Sequence, residues 1–187
     1  MIQSISMRCR NPRPILIDAM IDHASRQDLP EILAIYNEVI RTSTAVYTEE
    51  EMSKERGASW FDAKLAGGFP FIVARDASGI TGFGTFGEFR APPCYRHSVE
   101  HSVHVRQDRR GQGIGRALVI DLMGRAAAMR KHVMIAGIDA DNAASIHLHQ
   151  SLGFINVGHF HEVGFKFGRW LDLVFLQCRL PATTDLS

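Results

Sequence analysis

The stretch Arg109-Arg110-Gly111-Gln112-Gly113-Ile114-Gly115 constrains this chain more than any other. It follows an alternating run, Ser98 to Val105, and precedes a helix-like stretch from about Gly113 to Lys131. A strand, a tight basic turn and a helix are the expected elements. Glycine admits positive φ and lets backbone approach a ligand closely. The first N–H groups of the following helix then point at an anion, assisted by the macrodipole. Arg109, Arg110 and Arg116 add positive charge, so the expectation is a phosphate or pyrophosphate site. The pattern GxxxxGK[ST] is absent, and Gly113-Ile114-Gly115-Arg116-Ala117-Leu118 departs from GxGxxG at its last position.

A chain of 187 residues suits one domain with short tails. We expect an extension over 1–14, a domain over 15–180 and a tail over 181–187. A net charge of +1 gives no general basic face for nucleic acid. No apolar run approaches the roughly 18 residues of a membrane span. Cys9, Cys94 and Cys178 lie far apart without CxxC spacing, which fits a reducing cytoplasm. Arg8, Arg10 and Arg13 come with no apolar h-region, so a secretory signal is not expected.

Along the chain, Ile15 to Ile17 reads as a first strand. Asp28 caps a helix with Pro30 in its first turn, and Ile32, Ile35, Tyr36, Val39 and Ile40 give it one apolar face. Thr48-Glu49-Glu50-Glu51 reads as a capping box opening a second helix, with Trp60, Phe61 and Leu65 inward and Gly67-Gly68 at its end. Phe69 to Ala74 and Ile80 to Phe86 form a hairpin. Val133 to Ile138 is a strand, Ala143 to Leu152 a helix, and Phe154 to Phe160 and Leu171 to Leu180 are closing strands. The order predicts a single α/β (or α+β) domain, a mixed and mostly antiparallel sheet flanked by helices.

Two motifs carry a resemblance. Arg110-x-x-Gly113-x-Gly115 has the form [QR]-x-x-G-x-[GA], and Asn142 to Phe154 follows N-x-x-A-x-x-L-Y-x-x-x-G-F, with Ser145 for Ala and His149 for Tyr. In that order and separation they resemble the GNAT superfamily of N-acetyltransferases. Tyr95 to Val103, Ala136 to Asn142 and Val163 to Leu173 are more closely similar to its phosphinothricin and methionine sulfoximine acetyltransferase group. The resemblance implies acetyl-CoA as donor. It is expected to lie against His101, Ser102, Val103 and Val105, the loop Arg109, Arg110, Gly111, Gln112, Gly113, Ile114 and Gly115, and Asp141, Asn142 and His149. It also implies a homodimer.

Amine acetylation needs a base, because the acceptor arrives as an ammonium. The resemblance makes Glu100 that base and His149 the proton donor to the leaving thiolate or a partner in the base role. Strand alternation puts Glu100, Ser102 and His104 on one face. A glutamate facing an enclosed site would have a raised pKa. Tyr36, Ala91, Pro92 and Pro93 are candidate substrate contacts, and Lys166 and Arg169 are candidate carboxylate binders. The pairs His147/His149 and His159/His161 lack a third ligand at metal spacing, so no metal is expected. The expected acceptor is a free amino acid or analogue. Acetylation of a polyamine or a protein N-terminus, and a non-catalytic acyl-CoA sensor on the same fold, are the alternatives.

Overall fold

The computed structural model describes residues 19–181. The expected strand at Ile15 to Ile17 and both tails lie outside them. The elements are β1 (Met20–His23), α1 (Leu29–Thr42), α2 (Lys54–Ala66), β2 (Phe71–Asp76), β3 (Gly79–Glu88), β4 (Ser98–Val105), α3 (Ile114–Ala128), β5 (Val133–Asp139), α4 (Ala143–Ser151), β6 (Ile155–Lys166) and β7 (Arg169–Arg179). They build one seven-stranded sheet in the order β1-β2-β3-β4-β5-β7-β6. Every neighbouring pair is antiparallel except β4 and β5. The expected mixed, mostly antiparallel sheet with flanking helices is therefore present.

Strand alternation sorts side chains into two cores. On β2, Ile72 and Ala74 join the core containing Leu118, Leu122 and Ala126 of α3. Phe71 and Val73 point the other way, into a cluster with Ile32 and Ile35 of α1 and Phe61 of α2. Asp28 is the N-cap residue of α1, but its side chain makes no cap bond. Its carboxylate instead accepts from Ser25 N at 2.7 Å and from the Arg75 guanidinium.

The second helix begins later than Thr48 suggests. Glu51, the carboxylate that a capping box at Thr48 would use, instead pairs with Arg41 at 2.9 Å, and Glu49 accepts from Phe167 N at 2.7 Å. Ser53 is the cap, accepting from Arg56 N at 3.2 Å. Phe61 is buried as expected, whereas Leu65 is exposed. The last two strands are longer than expected and meet at Phe167-Gly168, both with positive φ. Cys178 is buried on β7.

Candidate active site

The site starts from a fault in the sheet. β4 and β5 pair only from Ser98↔Val133 to Glu100↔Ile135. Beyond Glu100, β4 stays with β3 as far as Val105↔Gly82, and β5 stays with β7 as far as Asp139↔Leu173. The β4 edge from His101 onward therefore has no strand partner on its β5 side. Two cavities, of about 830 Å³ and 390 Å³, open there. Both are bordered by Ala45, Val103, His104, Asn142, Ser145 and His149, so they meet.

The larger cavity lies against the glycine loop. Gly113 caps α3 at φ 82°, a conformation that disfavours a side chain, and no side chain caps the helix. The first bond of the ladder is Ala117 N to Gly113 O at 3.0 Å. The N–H groups of Ile114, Gly115 and Arg116 thus form the open positive end of a 15-residue helix. Arg109, Arg110, Gly111, Val105, Asp141 and Asn142 line the same space. The side chain of Arg110 braces the loop through Val105 O at 3.2 Å, and Arg109 is anchored on Ser78 and paired with Asp76 at 3.4 Å and Asp108 at 3.9 Å. Gln112 lies outside the lining, its amide directed to Asp108 O.

The smaller cavity holds Glu100, His101, Ser102 and Tyr36. Burial pushes the Glu100 carboxyl up, against the opposing pull of Arg90 and Lys64. Gly137 makes room for it, since a Cβ there would stand 3.1 Å from Glu100 Oε1. Tyr47, Gly137, Asp139 and Leu173 line this cavity too. The sequence reading missed them because their approach to Glu100 depends on the strand divergence.

His149, 5% exposed, and His101, 8% exposed, face each other with Nε2 atoms 3.1 Å apart. His149 Nδ1 is 2.7 Å from Ser145 O. A carbonyl oxygen carries no hydrogen, so the proton of that bond sits on Nδ1. The neutral His149 Nε2 is then an acceptor, and the proton between the rings belongs to His101. His101 Nδ1 is left as a buried acceptor without a partner. Burial lowers both pKa values, that of His101 well below 6.5, so the neutral pair prevails. In that state both ring nitrogens of His149 are engaged, Nδ1 with Ser145 O and Nε2 with His101.

Several expected substrate contacts lie elsewhere. Lys166 is 1% exposed and donates to Ile40 O, Ser43 O and Val46 O at 2.7–2.8 Å. Its three hydrogens are thereby used, and it has none for a substrate carboxylate. Ala91, Pro92 and Pro93 are exposed and border neither cavity. Arg169 borders the larger cavity, paired with Asp141 at 2.8 Å. His159 and His161 do acquire a third partner in Asp172, at 2.9 and 2.8 Å. Both rings converge on the same oxygen, Oδ2, and the three side chains form a group whose spacing could hold a metal ion, the third ligand that the sequence spacing did not show. The Glu162 N–H and the two imidazoles hold Asp172 at about 2.

Comparison with known proteins agrees with this geometry. Residues 21–175 match the model of the acetyltransferase (GNAT) domain. The L-methionine sulfoximine/L-methionine sulfone acetyltransferase of Pseudomonas paraeruginosa is 46% identical over 89% of this chain and 98% of its own. The L-amino acid N-acyltransferase MnaT of Escherichia coli is 41% identical over 88% of this chain and 96% of its own. A phosphinothricin acetyltransferase from Sinorhizobium meliloti, solved in complex with AcCoA, superposes with a TM-score of 0.86 at 37% identity, covering 89% of this chain and 91% of that one. With a family match from residue 21 to residue 175 and the divergent β4–β5 pair at its centre, this chain belongs to the GNAT family of acetyltransferases, whose acetyl donor is acetyl-CoA.

Proposed function

We propose that this chain acetylates the amine of a small amino-acid-like acceptor, of the methionine sulfoximine, methionine sulfone or phosphinothricin type. The names of its relatives support that class. The observation that carries it is the 390 Å³ cavity around Glu100, which suits one free amino acid and joins the larger donor-side cavity.

The residues present fit the donor. The uncapped start of α3 and the basic loop of Arg109 and Arg110 lining the same cavity suit its pyrophosphate. The free β4 edge at Ser102, Val103 and Val105 suits an extended amide-bearing arm, which adds to a sheet as a peptide does. Asp141 and Asn142 border the same path, with Arg169 beside them. When bound, acetyl-CoA supplies an activated thioester.

Glu100 takes the ammonium proton, and its raised pKa suits a base. His149 shares that role through its pair with His101, whose one unfilled acceptor is Nδ1. Tyr36, stacked on Trp60 and edge-on to His104, forms an aromatic wall for the acceptor.

A homodimer is part of the proposal. β6 is an edge strand, and Phe160, Val163 and Phe165 on it and Trp170 on β7 are exposed apolar side chains, a surface of the kind that pairs. No helix among the described residues is long and apolar enough to cross a membrane. We place the reaction in the cytoplasm, where the donor is made and used, with no nucleic acid as partner.

The deciding experiment measures thiol release from acetyl-CoA against phosphinothricin, methionine sulfoximine, methionine sulfone, common amino acids, spermidine and a peptide. Saturable turnover confined to the amino-acid-like amines is expected. Turnover with spermidine or the peptide alone overturns the acceptor class.

A further inference from the structure

We infer that Asp139 is the docking point for the cationic nitrogen of the acceptor, an inference that rests on the amino-acid reading above. Asp139 closes β5 and is only 3% exposed. Its Oδ1 accepts from Asp141 N at 2.8 Å, while its Oδ2 is buried and has no hydrogen-bond partner. Among the described residues no cation stands within ion-pair distance of it; Arg169, the nearest candidate, is engaged with Asp141. A buried carboxylate oxygen left without a donor is costly, and hydrogen bonds to charged groups are among the strongest.

The position of that oxygen says which donor it awaits. Asp139 lines the smaller cavity together with Glu100, Tyr36 and Tyr47, and does not line the larger one against the glycine loop. Its neighbours Asp141 and Asn142 do reach the larger cavity, so the chain passes from acceptor side to donor side within three residues. Gly137, two residues back on the same face of β5, is the residue that Glu100 Oε1 approaches. The two carboxylates therefore flank one small space. A primary ammonium entering it gives one N–H to Asp139 Oδ2 and has Glu100 in reach for its acidic proton. The proton passes from nitrogen to Glu100, and the neutral amine keeps its bond to Asp139. In this division Asp139 selects and aims the amine, and Glu100 removes its proton.

The test compares methionine sulfone with its desamino analogue, 4-(methylsulfonyl)butanoate, by calorimetry on the full chain with CoA present. Wild type should bind the amino acid about 10-fold or more tighter than the desamino acid. Asp139→Asn should erase that preference while leaving the desamino affinity and the KM for acetyl-CoA within about twofold. Equal binding of the two ligands by wild type overturns the inference without any variant. So does an unchanged preference in a folded Asp139→Asn protein. Loss of acetyl-CoA affinity alone would assign the oxygen to the donor's amide groups instead, which also overturns it. A wild type that neither binds nor acetylates any amino-acid-like amine fails at the earlier reading, and that outcome is separate from the others.

Discussion

His149 accepts a hydrogen bond from His101 across 3.1 Å, the two rings nearly parallel at 21° and both buried beside Phe154. The bond ties β4 to α4 at the border of the two cavities. The Ser145 carbonyl, 2.7 Å from His149 Nδ1, sets which nitrogen of His149 carries the proton and leaves Nε2 to accept from His101. A histidine that the family motif presents as a lone replacement for tyrosine is thus one half of a pair.

Removing the donor should therefore alter chemistry more than donor binding. His101→Leu is expected to lower kcat at least about 10-fold, with the KM for acetyl-CoA near wild type. His101→Gln carries an amide N–H that can reach the same acceptor, and should recover most of the loss. If Leu and Gln variants are equally active, the hydrogen bond from His101 does not serve the chemistry.

Glu100 gives a prediction in pH. Its pKa is raised above 4.5 by burial, and a base works only when ionised. The acceptor kcat/KM should climb with pH through a limb centred above 4.5 and be lost below it. Glu100→Gln should abolish that limb and cost about 10²–10⁴-fold in turnover, with acetyl-CoA affinity retained. An unaltered acid limb in the variant would take Glu100 out of the base role.

What the sequence made legible is what local rules govern. The alternation over 98–105 gave β4 at its observed bounds, and glycine at positions 111–115 marked the start of α3. The features it left dark depend on distant partners. Lys166 reads as a carboxylate binder until the end of α1 and the turn after it, more than a hundred residues earlier, fold their carbonyls around it. Asp139 reads as the end of a strand, and its unpartnered oxygen and its place beside Glu100 in the smaller cavity show only in the folded chain. The misplaced start of α2 has a nearer origin, since Glu51, the carboxylate of the expected capping box, is claimed by Arg41 of α1.

The donor side has its own test. Gly113→Val places a β-branched residue at φ 82° and crowds the open N–H groups of α3. The KM for acetyl-CoA should rise about 10-fold or more, with a smaller effect on kcat once the donor saturates. A folded variant with an unchanged KM would mean that the phosphates bind elsewhere.

Two buried histidines and the half-buried His104 make acid a threat to the fold. Burial, with Arg110 nearby, lowers His104 to about 4, and His101 and His149 are lowered as well. Between 6.5 and about 4 the unfolded chain binds a proton at His104 that the native state refuses. Stability from this group is complete above pH 6.5 and falls as pH drops toward 4, by up to about 1.4 kcal/mol per unit. Urea midpoints at pH 7.5 and pH 5 should therefore differ less in His104→Tyr than in wild type. The same difference in both proteins would show that His104 does not drive the acid loss.

Lys166 carries the last expectation. Its ammonium lies at the C-terminal end of α1, where the helix dipole favours a cation, and satisfies three carbonyls at once. Those carbonyls belong to the segment that brings Ser43 and Ala45 to the cavities, so the lysine holds one wall of the site in place. Lys166→Met keeps the stem but strands the three acceptors, and should cost about 3 kcal/mol of stability. Arginine cannot substitute, because its planar fork does not point at three converging oxygens. Denaturant unfolding of both variants checks this, alongside acceptor KM in the temperature range where Lys166→Met remains folded. A Met variant as stable as wild type, but with a raised acceptor KM, would return Lys166 to the substrate-binding role that its burial argues against.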